Sequence, residues 1–226
     1  MTCTQERFER DTAQHVMTIV RDNGIDRHIK FRAPAGSAYW FEILTWPGTL
    51  CIKGDMGTYV FSRLTDMFEL FRADDRGDPA TLYINRSYWC EKLQAVDCNG
   101  YGDGNAKEFS QENFERHVKE RFESYFECYE ITDEKRAQLW SDIESEILDR
   151  SHDGQTRAFD ALMEFSDDEF PRLFEDCWEW SCKEYTFHFI WNLYAIAWAI
   201  RQYDAAKAAL VESDTKTVDM FVEQAS

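Results

Sequence analysis

The stretch Tyr39–Arg63, YWFEILTWPGTLCIKGDMGTYVFSR, decides the fold. Its first part, Tyr39–Trp46, is dense in aromatic and β-branched residues, which suit a pleated surface and predict a strand. In the turn that follows, Pro47 presets φ at the second position, and Gly48 takes the positive φ that a type II turn requires at the third. The chain is therefore expected to return antiparallel over Leu50–Lys53.

A second turn, Gly54–Gly57, is bounded by glycines and predicts another reversal of the chain. Thr58–Arg63 is then expected to form a strand, with Tyr59 and Phe61 on one face and Val60 on the other.

Upstream of this stretch, Ile29–Ala33 alternates apolar and charged residues and predicts a further strand. The apolar residues of Phe8–Val20 are compatible with one face of a helix, and Asn23–Gly24 supplies a helix stop signal. The sequence therefore predicts an N-terminal helix followed by a small antiparallel meander of three to four strands.

Downstream, the apolar period changes to that of a helix. Short helices are expected after Asp66 and over Ser87–Val96, and the loop Asp97–Lys107 leads into the second half of the chain. There, Ser110 and Thr132 are positioned to cap two amphipathic helices. Their apolar stripes are Phe114, Val118, Phe122 and Phe126 in the first, and Leu139, Trp140, Ile143 and Ile147 in the second.

Further helices are predicted near residues 155–165 and 168–181, and a buried one near residues 185–204. The predicted fold class is thus α+β, in a single domain spanning residues 1–226. Within it we expect a helix-plus-sheet subregion at residues 1–96, with a mostly helical acidic subregion at residues 108–210 packed on it.

Charge is unevenly distributed along the chain. Residues 1–100 carry 12 Lys/Arg and 14 Asp/Glu, a net charge of −2, whereas residues 101–226 carry 13 and 29, a net charge of −16. These values recover the formal charge of −18. The second half is therefore the anionic one.

The N-terminal residues Met1–Arg7 lack the basic flank and apolar stretch of a secretory signal, so we expect a cytoplasmic location, in a bacterial host cell. The longest apolar run, Phe187–Ile200, is interrupted by His188 and Asn192 and is too short to span a membrane. No membrane partner is expected. The seven cysteines are scattered without a Cys-x-x-Cys pair, which favours reduced thiols.

The loop Asp97–Glu108 resembles a calcium-binding EF-hand loop, because oxygen ligands recur at alternate positions and a glutamate ends it. It departs from the pattern at Tyr101, which offers no suitable ligand, and at Gly104, which replaces an apolar residue. A flexible connector is the alternative interpretation. The candidate metal ligands are Asp97, Asn99, Asp103 and Glu108.

No phosphate-binding, dinucleotide-binding or nucleophile-elbow motif is present. Glu184 and His188 have the spacing of a helical pair, which more often joins a core histidine to a surface carboxylate than forms a proton-transfer site. Cys177 and Cys182 lie among aromatic residues, where burial raises the pKa of a thiol. We therefore lean towards a non-catalytic protein without a cofactor.

The aromatic run Phe170–Trp191 has two interpretations, a stacking platform for nucleic acid or a packed core. Platforms need adjacent cations to follow the phosphates, and this region instead carries carboxylates. Core packing is favoured, and no direct contact with nucleic acid is expected.

The stretches Trp40–Leu50, Gly54–Arg63, Asp66–Phe68 and Phe189–Ile200 resemble a family of uncharacterised proteins encoded by bacteriophages and prophages. The resemblance covers about a quarter of the chain. It implies a phage setting, and it implies no mechanism.

The leading functional hypothesis is a phage accessory protein that binds and blocks a host defence or nucleic-acid-handling protein. It would act like an anti-CRISPR protein, through nucleic-acid mimicry, on a partner with a basic nucleic-acid-binding surface. The expected partner-binding residues are Glu112, Glu115, Glu120, Glu123, Asp142, Glu144 and Glu146.

Three alternatives remain open. The acidic half can serve solubility alone, in which case the contact surface is expected on the sheet. The Asp97–Glu108 loop can make the chain a calcium- or other metal-dependent enzyme or binding protein. The chain can also be a structural phage protein. The sheet surface would lie around Tyr39, Trp40, Trp46 and Tyr59.

Overall fold

The computed structural model of the chain describes residues 2–36, 38–72, 77–78, 80–96, 106–127 and 129–224, with side chains described up to residue 212. The chain forms two compact units. Unit 1 comprises Met1–Ala106 and Tyr185–Ser226, and unit 2 comprises Lys107–Glu184. The α+β class is confirmed, because helices and an antiparallel sheet are both present.

Unit 1 contains a six-stranded antiparallel meander in which each strand pairs with the next one along the chain. Its strands are β1 (Val16–Asn23), β2 (Asp26–Arg32), β3 (Phe41–Trp46), β4 (Thr49–Gly54), β5 (Gly57–Ser62) and β6 (Leu93–Val96).

The two predicted turns lie where expected. Gly48 has φ +81° between β3 and β4, as a type II turn requires. Between β4 and β5, Gly54 pairs with Gly57. A Cβ on Gly54 would lie 2.1 Å from the carbonyl oxygen of Trp40, so a close backbone approach requires glycine here.

Two predictions about unit 1 are wrong. Phe8–Val20 is not one helix, because α1 covers only Gln5–Thr12 and the chain then enters β1. Ser87–Val96 is likewise divided into α3 (Arg86–Glu91) and β6. The β-branched residues of β1 favour a strand, and the two extra strands enlarge the sheet from the predicted three to four strands to six.

One face of the sheet packs against the long helix α8 (Phe187–Gln224). Trp191 is fully buried, with its ring 5.1 Å from that of Phe8 and 5.7 Å from that of Phe41. Trp198, seven residues further along α8, is only partly buried. The core of unit 1 therefore includes the apolar part of α8, which corrects the prediction that residues 185–210 belong with the acidic helices.

A buried ion pair joins β2 to the N-terminus of α2 (Met67–Arg72). Arg27 donates two hydrogen bonds of 2.8 Å to the carboxylate of Asp66, and its guanidinium lies 4.4 Å from the ring centre of Phe68. Asp66 also accepts the backbone N–H of Phe68, so one carboxylate anchors both the strand and the helix.

Unit 2 is mostly helical, and its predicted caps are present. Ser110 Oγ accepts the N–H of Asn113, and Thr132 Oγ1 accepts the N–H of Lys135. The elements are β7 (Lys107–Phe109), α4 (Gln111–Tyr125), α5 (Asp133–Ile143), a π-helical turn (Glu144–Leu148), α6 (Asp149–Ser151), α7 (Gln155–Glu164), a 3₁₀ turn (Cys177–Glu179) and β8 (Lys183–Tyr185).

The helix predicted near residues 168–181 is absent, and turns followed by the 3₁₀ turn take its place. Arg121 favours the turns over a helix, because its side chain donates hydrogen bonds to the carbonyl oxygens of Leu173 at 2.6 Å and Arg172 at 3.1 Å. In addition, Asp176 adopts a left-handed φ of +65°, which a helix interior does not accommodate.

Among the described residues, no helix has the length and apolarity needed to cross a membrane.

Candidate functional site: the acidic surface of unit 2

Unit 2 carries most of the negative charge of the protein. Its residues 107–184 include 10 Lys/Arg and 23 Asp/Glu, a net charge of −13, whereas unit 1 has 15 and 20, a net charge of −5. Of the 23 carboxylates, nineteen are exposed, and the other four are half-buried. The half-buried ones are Glu115, Asp142, Asp167 and Glu184.

The seven predicted contact residues occupy two elements and the turn that continues one of them. Four lie on α4, one lies on α5, and two lie in the π-helical turn. Five of them are exposed, namely Glu112, Glu120, Glu123, Glu144 and Glu146.

Several of these carboxylates are held by neighbouring side chains. Glu120 pairs with Arg116 at 3.1 Å, Glu123 pairs with Arg136, and Glu144 accepts the indole N–H of Trp140 at 2.7 Å. By contrast, the carboxylates of Glu112 and Glu146 make no hydrogen bond or ion pair with another described residue. Part of the predicted surface is thus fixed in place, and part remains free to meet a partner.

Many cations of unit 2 are engaged within the unit. Lys135 contacts Asp167 at 2.9 Å, and Arg150 contacts Glu164 at 2.7 Å. Arg121 is committed to backbone carbonyl oxygens. The unpaired excess of charge on the surface is therefore negative.

The turn segment Phe170–Trp180 contributes a feature that the sequence analysis missed. Phe170, Phe174 and Cys177 face the core of unit 2, whereas Trp178 is 58% exposed. The prediction that Trp178 packs in the core with the rest of the aromatic run is wrong. No sequence pattern separates it from the other aromatic residues, because its exposure depends on the left-handed backbone of Asp176. The exposed carboxylates around it are Glu175, Asp176 and Glu179.

Electrostatics set the charge of Asp167, just before this segment, and the reactivity of the thiols of Cys177 and Cys182. Burial opposes the ionisation of Asp167, but hydrogen bonds from Lys135 and from the backbone N–H groups of Glu169 and Phe170 outweigh it and lower its pKa. Burial raises the pKa of the Cys177 and Cys182 thiols, as predicted, so neither is an activated nucleophile.

The alternative contact surface on the sheet, expected around Tyr39, Trp40, Trp46 and Tyr59, does not form one surface. Tyr59 is 4% exposed and belongs to the core face, whereas Trp46 is 44% exposed at the end of β3. Tyr39 is half-buried and stacks on Trp191, and its φ is +60°. Trp40 is half-buried.

The proposed metal ligands Asp97, Asn99 and Asp103 lie outside the described residues, and Glu108 is exposed in β7. In the part of the chain that the structure describes, no group of three His, Cys, Asp or Glu side chains is arranged to hold a metal ion. Glu184 lies in β8 and His188 in α8, so the two are not spaced along one helix. Calcium binding by the loop stays a prediction.

Comparison of the chain with protein-family models, with curated proteins and with solved structures finds no match.

Proposed function

We propose that unit 2 is a protein-binding module whose acidic surface occupies the basic nucleic-acid-binding groove of another protein in place of DNA or RNA. The observation that carries this proposal is a net charge of −13 on residues 107–184 with nineteen exposed carboxylates. Carboxylates fixed on rigid elements produce a field that steers association with a basic groove, as a phosphate backbone does.

The charge is densest in one segment. Glu164–Glu179 carries seven Asp/Glu and one Arg, a net charge of −6, whereas α4 carries four and three, a net charge of −1. The segment therefore adds to the negative field that the predicted residues of α4, α5 and the π-helical turn produce.

Trp178 supplies the anchor of this surface. Tryptophan is enriched among residues whose truncation costs most in protein interfaces, and its ring stacks on the guanidinium groups that line nucleic-acid-binding grooves. The turn that presents it is held by Arg121 and by the buried Cys177, so little conformational entropy is lost on binding.

The partner class follows from the chemistry of this surface. A groove that binds nucleic acid through arginines and lysines suits both the carboxylates and the exposed indole. The resemblance to phage-encoded proteins stays a prediction, and it suggests host defence and nucleic-acid-handling proteins, CRISPR effectors among them, as the first partners to test.

The test is affinity capture from a bacterial lysate on the immobilised full chain, followed by elution with a short DNA duplex at constant ionic strength. We expect the duplex to release a nucleic-acid-binding protein. The affinity of this captured protein is then measured for the wild-type chain and for two variants. Trp178→Ala is expected to weaken binding by roughly 30-fold, and a quadruple charge reversal by about tenfold or more with a flatter salt dependence. The reversed residues are Glu112, Glu120, Glu144 and Glu146.

The matched control reverses four exposed carboxylates of unit 1, which changes the total charge of the protein by the same amount. It is expected to leave the affinity within about threefold, because only long-range steering changes. Equal binding by the wild type and the unit 2 variant at low and moderate salt would overturn the proposal and leave solubility as the role of the acidic surface. The control residues are Glu9, Asp55, Glu69 and Glu91.

A further inference from the structure

The second face of the unit 1 sheet, opposite α8, carries a concave site that is independent of the acidic surface. An open groove of about 690 Å³ is lined by Val16 and Thr18 of β1, by Lys30 and Arg32 of β2, and by the turn 33–36. A smaller pocket of about 230 Å³ adjoins it, and Trp40 and Glu42 line that pocket. Both concavities share Lys30 and Arg32, so two cations stand where they meet.

Strand alternation explains how these residues come together. In β2, Ile29 and Phe31 are buried in the core, which directs Lys30 and Arg32 to the opposite face. The register then places Thr18 and Glu42 beside Lys30 on either side. The site is therefore built by the sheet itself, with the turn after β2 as one wall.

Arg32 is held in position with donors to spare. Its Nε donates to the carbonyl oxygen of Gly36 at 3.2 Å, and its two terminal nitrogens make no hydrogen bond to another described residue. This guanidinium is exposed at the end of β2 and can present its two terminal nitrogens to an anion as a two-pronged donor.

Charge on this face contrasts with that of the whole protein. The carboxylate of Glu42 is surrounded by three side-chain nitrogens. They belong to His28 at 2.8 Å, Lys30 at 3.3 Å and Lys53 at 4.0 Å from its oxygens. Burial raises the pKa of Glu42, but the hydrogen bonds from His28 and Lys30 outweigh this effect and keep it below the usual value. One ionised carboxylate thus faces two lysines, and Arg32 adds a further positive charge.

We propose that the two concavities bind a nucleoside monophosphate, with its phosphate on Arg32 and Lys30 in the groove and its nucleoside against Trp40 and Glu42 in the pocket. Trp40 offers a ring against which a base can stack, and the Glu42 carboxylate accepts hydrogen bonds from ribose hydroxyls or a base amino group. The ionised Glu42 repels a second phosphate at the pocket, so a ligand with one anionic end fits better than a nucleic-acid strand.

The test is calorimetric titration of the full chain with AMP, adenosine, inorganic phosphate and a short single-stranded oligonucleotide. We expect AMP to bind more tightly than phosphate and adenosine by about tenfold or more, and the oligonucleotide more weakly than AMP.

Lys30 and Lys53 form a matched pair for this test, because both contact Glu42 and their side chains are 45% and 47% exposed. Only Lys30 lines the site. Lys30→Gln and Arg32→Ala are each expected to weaken AMP binding by about tenfold, whereas Lys53→Gln changes it by less than about twofold. Trp40→Phe should retain most of the affinity that Trp40→Leu loses.

Thermal melts of each variant separate loss of binding from loss of folding, and only variants that melt like the wild type are compared. Three results would each overturn the proposal. The first is the absence of binding heat with millimolar AMP. The second is equal affinity for phosphate and AMP, which would indicate a simple anion site. The third is tighter binding of the oligonucleotide than of AMP, which would indicate a nucleic-acid surface.

Discussion

In unit 1 the Arg27 guanidinium lies 2.8 Å from both carboxylate oxygens of Asp66 and is almost enclosed, whereas in unit 2 Glu112 and Glu146 stand in water without a partner among the described residues. The difference separates charges that hold a fold together from charges that are free to act on another molecule. Removing the first kind leaves an uncompensated buried ion, while removing the second kind costs the fold little. The predictions below test this division, beginning with the largest expected effect.

Asp66→Ala is expected to destabilise unit 1 by about 3–5 kcal/mol, because it leaves Arg27 buried with no carboxylate. The Arg27 side chain is 7% exposed, so water cannot replace the lost partner. Urea unfolding followed by tryptophan fluorescence measures the change. The matched control in unit 2 is Asp168→Ala, an exposed aspartate, for which we expect less than about 0.5 kcal/mol. Similar losses in the two variants would contradict the division.

The pH dependence of unit 1 stability should follow from the same pair. Burial raises the pKa of Asp66, but the hydrogen bonds from Arg27 and from the N–H of Phe68 outweigh it, so its folded pKa lies below the usual value. The stabilisation is therefore complete above the unfolded pKa and is lost as the pH falls through the folded pKa. Unfolding curves of the wild type between about pH 7 and pH 2 should show this loss below about pH 4. Asp66→Ala should show a smaller loss, and parallel profiles would disprove the assignment.

Gly48→Val is expected to cost about 1–3 kcal/mol, because a β-branched residue cannot relax at φ +81°. An added Cβ at Gly48 meets no atom within 4 Å, so backbone strain is the whole effect. Gly54→Ala provides the contrast, since its Cβ meets the Trp40 carbonyl oxygen and the cost is a clash. Melting curves check both variants, and an unchanged curve for Gly48→Val would refute the turn assignment.

The sequence was sufficient for features that depend on neighbouring residues. Pro47 and Gly48 define a turn of fixed length, and this length alone places Glu42 opposite Lys53 in the β3–β4 register. The pairing of Lys30 with Glu42 depends instead on the β2–β3 connection, whose length fixes no register. Local signals are therefore enough to predict the pairing of Glu42 with Lys53, whereas its pairing with Lys30 depends on tertiary structure.

The wrong assignments have physical causes of the same kind. In β1 nearly every residue is exposed, because the strand lies at the edge of the sheet, so the alternation that marks a strand is missing. The apolar residues of α8 indicate burial, but nothing in the sequence says that the sheet of unit 1 covers them. For unit 2, composition predicts the acidic surface, whereas the exposure of Trp178 depends on a left-handed Asp176 that no pattern reveals.

The smallest effect on stability is expected from the charge reversals at Glu112, Glu120, Glu144 and Glu146. Exposed carboxylates contribute little to folding, and reversing them lowers the self-repulsion of a unit with a net charge of −13. The Arg116–Glu120 pair that the variant breaks is exposed, and lower self-repulsion opposes its loss, so the variant should stay within about 0.5 kcal/mol of the wild type or be slightly more stable at low salt. Thermal unfolding at about 20 mM and about 300 mM NaCl separates charge self-repulsion from the local contacts of the carboxylates, since salt screens repulsion between exposed charges. The wild type should gain stability with salt and the variant should gain less. A large loss of stability in the variant at both salt concentrations would mean that these carboxylates hold unit 2 together, as Asp66 holds unit 1, and that they are not free to serve a partner.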